Sequence, residues 1–148
     1  MTSTATSRHV TVRCPMCDRK NRVDLSRMSD GPRCAECRRP ILLDRPIQLS
    51  GEDLDETVRS ASIPVLIDCY ADWCGPCQAM APVLDELAGR HAGKVLVLKL
   101  NTDRYPDVAG RLGIRGIPTL IAFETGRELR RHVGMADLPA LELLTGLR

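Results

Sequence analysis

Val65-Leu66-Ile67-Asp68-Cys69-Tyr70-Ala71-Asp72-Trp73-Cys74-Gly75-Pro76-Cys77 is the stretch that decides the fold. Val65 to Tyr70 is a short, almost unbroken apolar run, the pattern of a strand covered on both faces. Past Cys74 the period changes. Met80, Val83, Leu84, Leu87 and Ala88 recur on one face of a helix predicted from Cys74 to His91, with Pro82 expected to kink it. Strand, sharp turn and helix start place Cys74 where free N–H groups and the helix dipole favour a thiolate. Cys77 lies one turn inward, so the two sulfurs can close a disulfide with little backbone movement. Asp68 is a carboxylate inside the apolar strand, and burial should raise its pKa.

Reading outward gives the rest of an α/β unit. Ile47-Gln48-Leu49 starts it, and Ser50 is expected to cap a helix with Asp53 three residues on, its apolar stripe being Leu54, Val58 and Ala61. Val95 to Leu98 begins a second buried strand that ends at Asn101. Asp103 is expected to cap a short helix carrying Val108 and Leu112 and stopped by Gly113. Thr119 to Phe123 and Glu128 to Val133 read as a hairpin around Thr125-Gly126, and Asp137 opens a last helix bearing Leu138, Leu141 and Leu144. The order is βαβαβαββα, a mixed sheet with helices on both faces.

Residues 9–46 read differently. Val10 and Val12, then Val23 and Leu25, alternate as short strands, and Ser29-Asp30-Gly31-Pro32 is a turn. Large apolar residues are too few here to hold a fold by burial alone. Cys14-Pro-Met-Cys17 and Cys34-Ala-Glu-Cys37 are separated by sixteen residues, which is zinc-site spacing. Two such turns complete a tetrahedron of thiolates around one ion, which would supply the missing folding energy. Such a closed site is structural rather than catalytic. Iron in a rubredoxin-like site is the chemical alternative, and two disulfides are the alternative without metal. His9 reads as a surface residue, as do His91 and His132.

Charge divides along the same line. Residues 1–46 hold ten Lys/Arg against five Asp/Glu, while residues 47–148 hold eleven against fourteen. The net charge of +2 and the absence of aromatics in the basic part make nucleic acid an unlikely partner. Residues 1–8 are small and polar and are expected to be disordered. No apolar leader or membrane span is visible, so the expected compartment is the reducing cytoplasm, where clustered cysteines bind metals or do catalysis.

Trp73-Cys74-Gly75-Pro76-Cys77 resembles the active-site motif of the thioredoxin family, and the resemblance covers residues 47–148. The segment ahead of it resembles a zinc ribbon, and the pair together resembles the thioredoxin-2-like branch. The resemblance implies a thioredoxin fold and a protein-disulfide reductase that uses no organic cofactor of its own. Cys74 is then the nucleophile and Cys77 the resolving thiol, with Gly75 and Pro76 between them as in the reductases of this fold. Asp68 is the implied proton acceptor for Cys77, and Lys99 the lysine beside it. Trp73, Ile117, a cis-Pro118 and Gly134 are the implied substrate contacts. A flavin-dependent reductase drawing on NADPH is the implied partner. Two departures stand out: Gln78 replaces a residue that is often basic, and Cys69-Tyr70 replaces a usually aromatic pair. Cys69 reads as inert core, with a regulatory thiol as its alternative. Two other functions stay open: a partner-binding ribbon with the larger unit as effector, and a zinc-dependent redox sensor.

Overall fold

The computed structural model describes residues 8–147. The disorder expected at the N-terminus lies outside these residues except at Arg8, whose guanidinium donates to the Gly93 carbonyl at 2.5 Å. Strands β1 (His9–Arg13) and β2 (Lys20–Asp24) form an antiparallel ribbon with Val10 opposite Val23. Alternation puts Val10, Val12 and Val23 on one buried face.

The larger unit runs β3 (Ile47–Gln48), α1 (Leu54–Ser60), β4 (Val65–Tyr70), α2 (Gly75–Arg90), β5 (Leu96–Asn101), α3 (Pro106–Arg111), β6 (Thr119–Glu124), β7 (Arg127–Val133) and α4 (Leu138–Thr145). Its sheet has the order β3-β5-β4-β6-β7. β3, β5 and β4 are parallel, and β6 and β7 run antiparallel to their neighbours. β4 is central and buried at every position, as the unbroken apolar run requires. On one face Leu66 and Val97 pack against Met80, Leu84 and Leu87 of α2 and Leu141 of α4. On the other, Ile67, Cys69 and Leu98 meet α1 and α3.

That second core continues into the ribbon. Val10, Val12, Val23, Ile41 and Leu43 belong to the same apolar cluster as Leu54, Val58 and Ile67. The ribbon thus has burial to draw on that its own sequence does not contain. Polar contacts fix the docking: Arg13 donates to Asp53 at 2.5 and 3.0 Å, and Lys20 donates to Glu56 at 2.5 Å. Asp53 is almost fully buried. Arg13→Met should therefore lower stability by about 2 kcal/mol, because it leaves the buried carboxylate without its hydrogen-bonded partner and with Lys20, 3.9 Å away, as its remaining countercharge among the described residues. Urea unfolding of the two proteins measures this, and an unchanged midpoint would remove the docking role of the pair.

Three local expectations are corrected. Ser50 makes no side-chain cap; a 3-10 turn over Gly51–Asp53 comes first, and Asp53 is taken by Arg13. Asp103 does not cap α3, which starts at Pro106 after Tyr105 without a side-chain cap. His91 is not on the surface. It ends α2, is 5% exposed, and its Nε2 lies 2.7 Å from Glu142 of α4. The ring ties the end of α2 to the middle of α4, a contact set by packing that has no local sequence signal. α2 itself runs helically through Pro82.

Candidate active site and metal centre

β4 ends at Tyr70 and α2 begins at Gly75, with Cys74 as its N-cap. The backbone N–H of Cys77 donates to Cys74 Sγ at 3.2 Å, one of the free amides of the helix start. Cys74 and Cys77 are joined in a disulfide with Cα atoms 5.2 Å apart, comfortable for the bond. Both are almost buried and pack with Tyr70, Ala71 and Ile117. Cys74 Sγ lies 3.9 Å from the Ile117 carbonyl oxygen. The Ile117-Pro118 peptide is cis, and the Gly134 N–H donates to the Pro118 carbonyl at 2.8 Å.

Trp73 stands beside this pair, 70% exposed. Its indole N–H donates to Asp103 at 2.8 Å, which explains why Asp103 is unavailable to α3. Asn101 takes over the turn, accepting the N–H groups of Asp103 and Arg104. Gln78 donates from its side chain to the Asp72 carbonyl at 2.6 Å, a strap across the turn that carries Trp73 and Cys74.

Asp68 is 1% exposed, on the face of β4 that carries Leu66 and meets α2. No group among the described residues hydrogen-bonds its Oδ1. Burial raises its pKa to about 6, against the opposing pull of Lys99, which sits opposite it on β5. Lys99 Nζ itself lies 4.5 Å from the centre of the Tyr70 ring. An acid whose pKa is raised by folding weakens the fold as pH climbs from 3.8 toward 6, because the unfolded chain releases the proton first. At 1.36 kcal/mol per pK the penalty reaches about 3 kcal/mol. Asp68→Asn should therefore stabilise the protein by up to about that amount at pH 7.5, and by nothing below pH 4. Urea titrations at the two pH values test it; equal differences at both would refute the burial of a charge. Cys69, one residue on, faces the opposite core, where burial pushes its thiol up to about 12.

In the ribbon, Cys14, Cys17, Cys34 and Cys37 place all four sulfurs within 4.8 Å of one another. Cys14–Cys37 and Cys17–Cys34 are 3.6 and 3.4 Å apart. A tetrahedron with metal–sulfur bonds of ~2.3 Å has sulfurs ~3.8 Å apart, so the donor set fits one four-thiolate ion. The thiols share charge unequally: the N–H groups of Cys37 and Glu36 draw Cys34 down to about 6 and that of Cys17 lowers Cys14, while against the pull of the Arg19 amide burial and the neighbouring sulfurs push Cys17 up to about 12.

The two knuckles repeat one device. Arg13-Cys14-Pro-Met-Cys17-Asp18-Arg19 and Arg33-Cys34-Ala-Glu-Cys37-Arg38-Arg39 share the pattern Arg-Cys-x-x-Cys-x-Arg. Asp18 and Arg38 both turn with positive φ, 71° and 68°. The preceding arginines donate to the carbonyls of those residues, at 3.1 Å from Arg13 and 3.0 Å from Arg33. Asn21 joins the halves by donating to Arg19 O and Cys34 Sγ and accepting from Ala35 N–H. Sequence reading missed Asn21, and it placed Asp53 and Asp103 at helix starts rather than with Arg13 and Trp73. The twenty-residue Arg-Cys-x-x-Cys-x-Arg repeat was a readable signal for the knuckles, but nothing local marks the other three.

A disulfide-forming cysteine pair at a helix start, after a central strand that carries a buried carboxyl, defines a thiol-disulfide oxidoreductase. The comparisons agree. The family model described as Thioredoxin matches residues 45–144, and the one described as Thioredoxin 2, N-terminal, a zinc ribbon, matches residues 13–39. The chain belongs to the thioredoxin family and carries that family's thioredoxin-2 type of N-terminal ribbon. It is 47% identical over 87 residues to a thioredoxin of Synechocystis sp., covering 59% of this chain and 81% of that protein. It is 45% identical to thioredoxin 1 of Nostoc sp., with the same 59% and 81% coverage. A mutant thioredoxin from Halobacterium salinarum superposes with a TM-score of 0.64 at 36% identity, over 73% of this chain and 97% of that one. The protein is thus an oxidoreductase of protein disulfides. Among the described residues no helix is long and apolar enough to cross a membrane.

Proposed function

We propose that Cys74 attacks and Cys77 resolves, and that the chain works as a reductase. The observation that carries this is the placement of Cys74 Sγ at the α2 start with the Cys77 N–H aimed at it. As thiolate, Cys74 attacks one sulfur of a substrate disulfide; a Cys74–substrate bond forms and the other substrate sulfur leaves as thiolate. Cys77 gives its proton to Asp68 and attacks Cys74 Sγ, which frees the second substrate thiolate and leaves the Cys74–Cys77 disulfide. Two electrons pass from the protein dithiol to the substrate. A carboxyl with a pKa near 6 is suited to accept that proton at neutral pH, and Lys99 keeps it from rising further.

Gly75 and Pro76 set the turn between the two sulfurs. Trp73, Ile117, Pro118 and Gly134 form the substrate contact, supported by the exposure of Trp73 and by the carbonyl of Ile117 beside Cys74. A flavin-dependent reductase drawing on NADPH returns the disulfide to the dithiol, which makes the chain an electron carrier. The family supports this partner.

The ribbon, assigned to residues 9–46 ahead of a thioredoxin domain at 47–148, holds one structural zinc ion through Cys14, Cys17, Cys34 and Cys37. The ion supplies cross-linking of the two knuckles. Zinc is favoured over iron by the ribbon family and by a closed four-sulfur set. Four free thiols kept together argue for a reducing compartment, the cytoplasm. NADPH consumption coupled to insulin-disulfide reduction, with metal analysis of the same sample, tests this function. A chain that passes no electrons to insulin would overturn it.

A further inference from the structure

Gln48, Lys99 and Asp68 form one row across three strands: Lys99 of β5 is opposite Asp68 of β4 on one side and Gln48 of β3 on the other. By alternation Leu66, Asp68 and Tyr70 share the α2 face of β4, as Val97 and Lys99 do on β5. A lysine and a buried carboxyl thus face the same side of paired strands, yet they make no ion pair. Among the described residues no carboxylate lies within 4.0 Å of Lys99 Nζ. The ammonium lies over the Tyr70 ring instead, 4.5 Å from its centre, and Gln48 Nε2 donates to the Tyr70 hydroxyl at 2.8 Å.

Solvation explains the choice. Asp68 is almost fully buried, so an ammonium drawn onto it must give up its water. Lys99 is only half-buried, so over the ring the ammonium keeps part of its hydration, and the negative ring face replaces some of what it loses. The hydroxyl bond to Gln48 and the burial of Tyr70 fix that face. Lys99 is also the one charge that pulls the Asp68 pKa back against burial. On its buried face α2 offers Cys77 as the only titratable residue, α4 buries Leu141, Leu144 and Thr145, and β6 places Leu120 opposite Asp68. How near Lys99 comes therefore governs how readily Asp68 ionises.

We propose that Tyr70 is a positioning residue: its ring, pinned by Gln48, holds the Lys99 ammonium off Asp68 and so keeps the carboxyl able to take up a proton. An ammonium in contact would hold the carboxylate ionised and make it a weaker base. The inference rests on the reductase reading above, in which Asp68 receives the Cys77 proton, and adds the residue that sets how strongly it does so.

The test follows the Asp68 carboxyl carbon by NMR through a pH titration of the full chain in its disulfide form, where Cys77 carries no proton. Tyr70→Leu should lower the midpoint by about one pH unit, roughly a tenfold loss of proton affinity, because Lys99 then turns to the carboxyl. Tyr70→Phe keeps the ring and should titrate close to the unsubstituted chain. In a Lys99→Met background, Tyr70→Leu should shift nothing. An unchanged midpoint in Tyr70→Leu, or an equal drop in Tyr70→Phe, overturns the proposal. So does the same drop without Lys99, which would mean that water rather than the ammonium reaches the carboxyl. If Tyr70→Leu does not fold, the unsubstituted chain still decides. The ring current should move the Lys99 ε-methylene protons upfield, and signals at the ordinary lysine position overturn the contact. Activity is read separately: the acid limb of the insulin-reduction pH profile should move with the Asp68 midpoint. A limb that stays while the midpoint moves supports the Tyr70 contact and sinks Asp68 as proton acceptor, which separates the two ideas.

Discussion

Cys74→Ser is expected to lower insulin-disulfide reduction by at least ~10³-fold, to the uncatalysed background. The hydroxyl of serine does not ionise at neutral pH, so the Cys77 N–H and the helix dipole have no anion to stabilise. The first bond to substrate then never forms. Cys77→Ser should fail at a different point. Its Cys74 still attacks, but nothing resolves the mixed disulfide, so the substrate stays attached through one sulfur. Mass spectrometry after mixing with an oxidised protein separates the two variants: an adduct with Cys77→Ser and none with Cys74→Ser. Turnover retained by Cys74→Ser, or an adduct appearing only with that variant, would reverse the assigned roles.

The second large effect concerns the ribbon. Metal bound by an all-thiolate site contributes ~10–16 kcal/mol in small zinc modules, more than a ribbon with so few apolar residues can replace. Stripping the ion with a strong chelator should therefore melt residues 9–39 while the sheet around β4 stays folded. The amides to watch are Cys14, Asp18, Cys34 and Arg38, whose hydrogen bonds close the two knuckles. Their exchange should rise to that of an open chain, and the Val65–Tyr70 amides should remain protected. The remainder of the molecule should lose part of its stability too, because Leu54 and Val58 give up their contacts with Val10, Val12 and Val23. Knuckle amides that stay protected after full metal loss would show that the shared core alone holds the ribbon.

Much of this was legible in the sequence because it depends on neighbours along the chain. The unbroken apolar run at Val65–Tyr70 marks a central strand, and the change to a helical period after Cys74 puts the cysteine pair at a helix start. Asp68 is readable as unusual because a carboxylate inside that run has nowhere polar to go. Paired Cys-x-x-Cys turns imply one cluster because each turn already aims two sulfurs the same way. The resemblance to thioredoxin added what spacing does not contain, such as the cis peptide at Pro118.

Other features answer to partners far away in sequence. Asp103 looks like a helix cap until Trp73 claims it, and Asp53 looks like part of a capping box until Arg13 arrives from the ribbon. His91 has no motif around it because its partner, Glu142, is fifty-one residues later. A local rule offers such side chains a use, and a stronger or better-placed partner then removes them.

The three Cys-x-x-Cys pairs show where the division falls. By itself the sequence determined that Cys74 and Cys77 sit between a buried strand and a helix, and that four other cysteines share a segment poor in apolar residues. Those are properties of periodicity and spacing, which act over one or two turns of chain. Only the tertiary structure decided that the ribbon has no core of its own but completes the one beside α1. It alone brought Arg13, beside the first knuckle, to Asp53 ahead of α1. The reason is that burial and ion pairing are summed over whatever surfaces meet, and which surfaces meet is fixed by the whole fold rather than by any stretch of it.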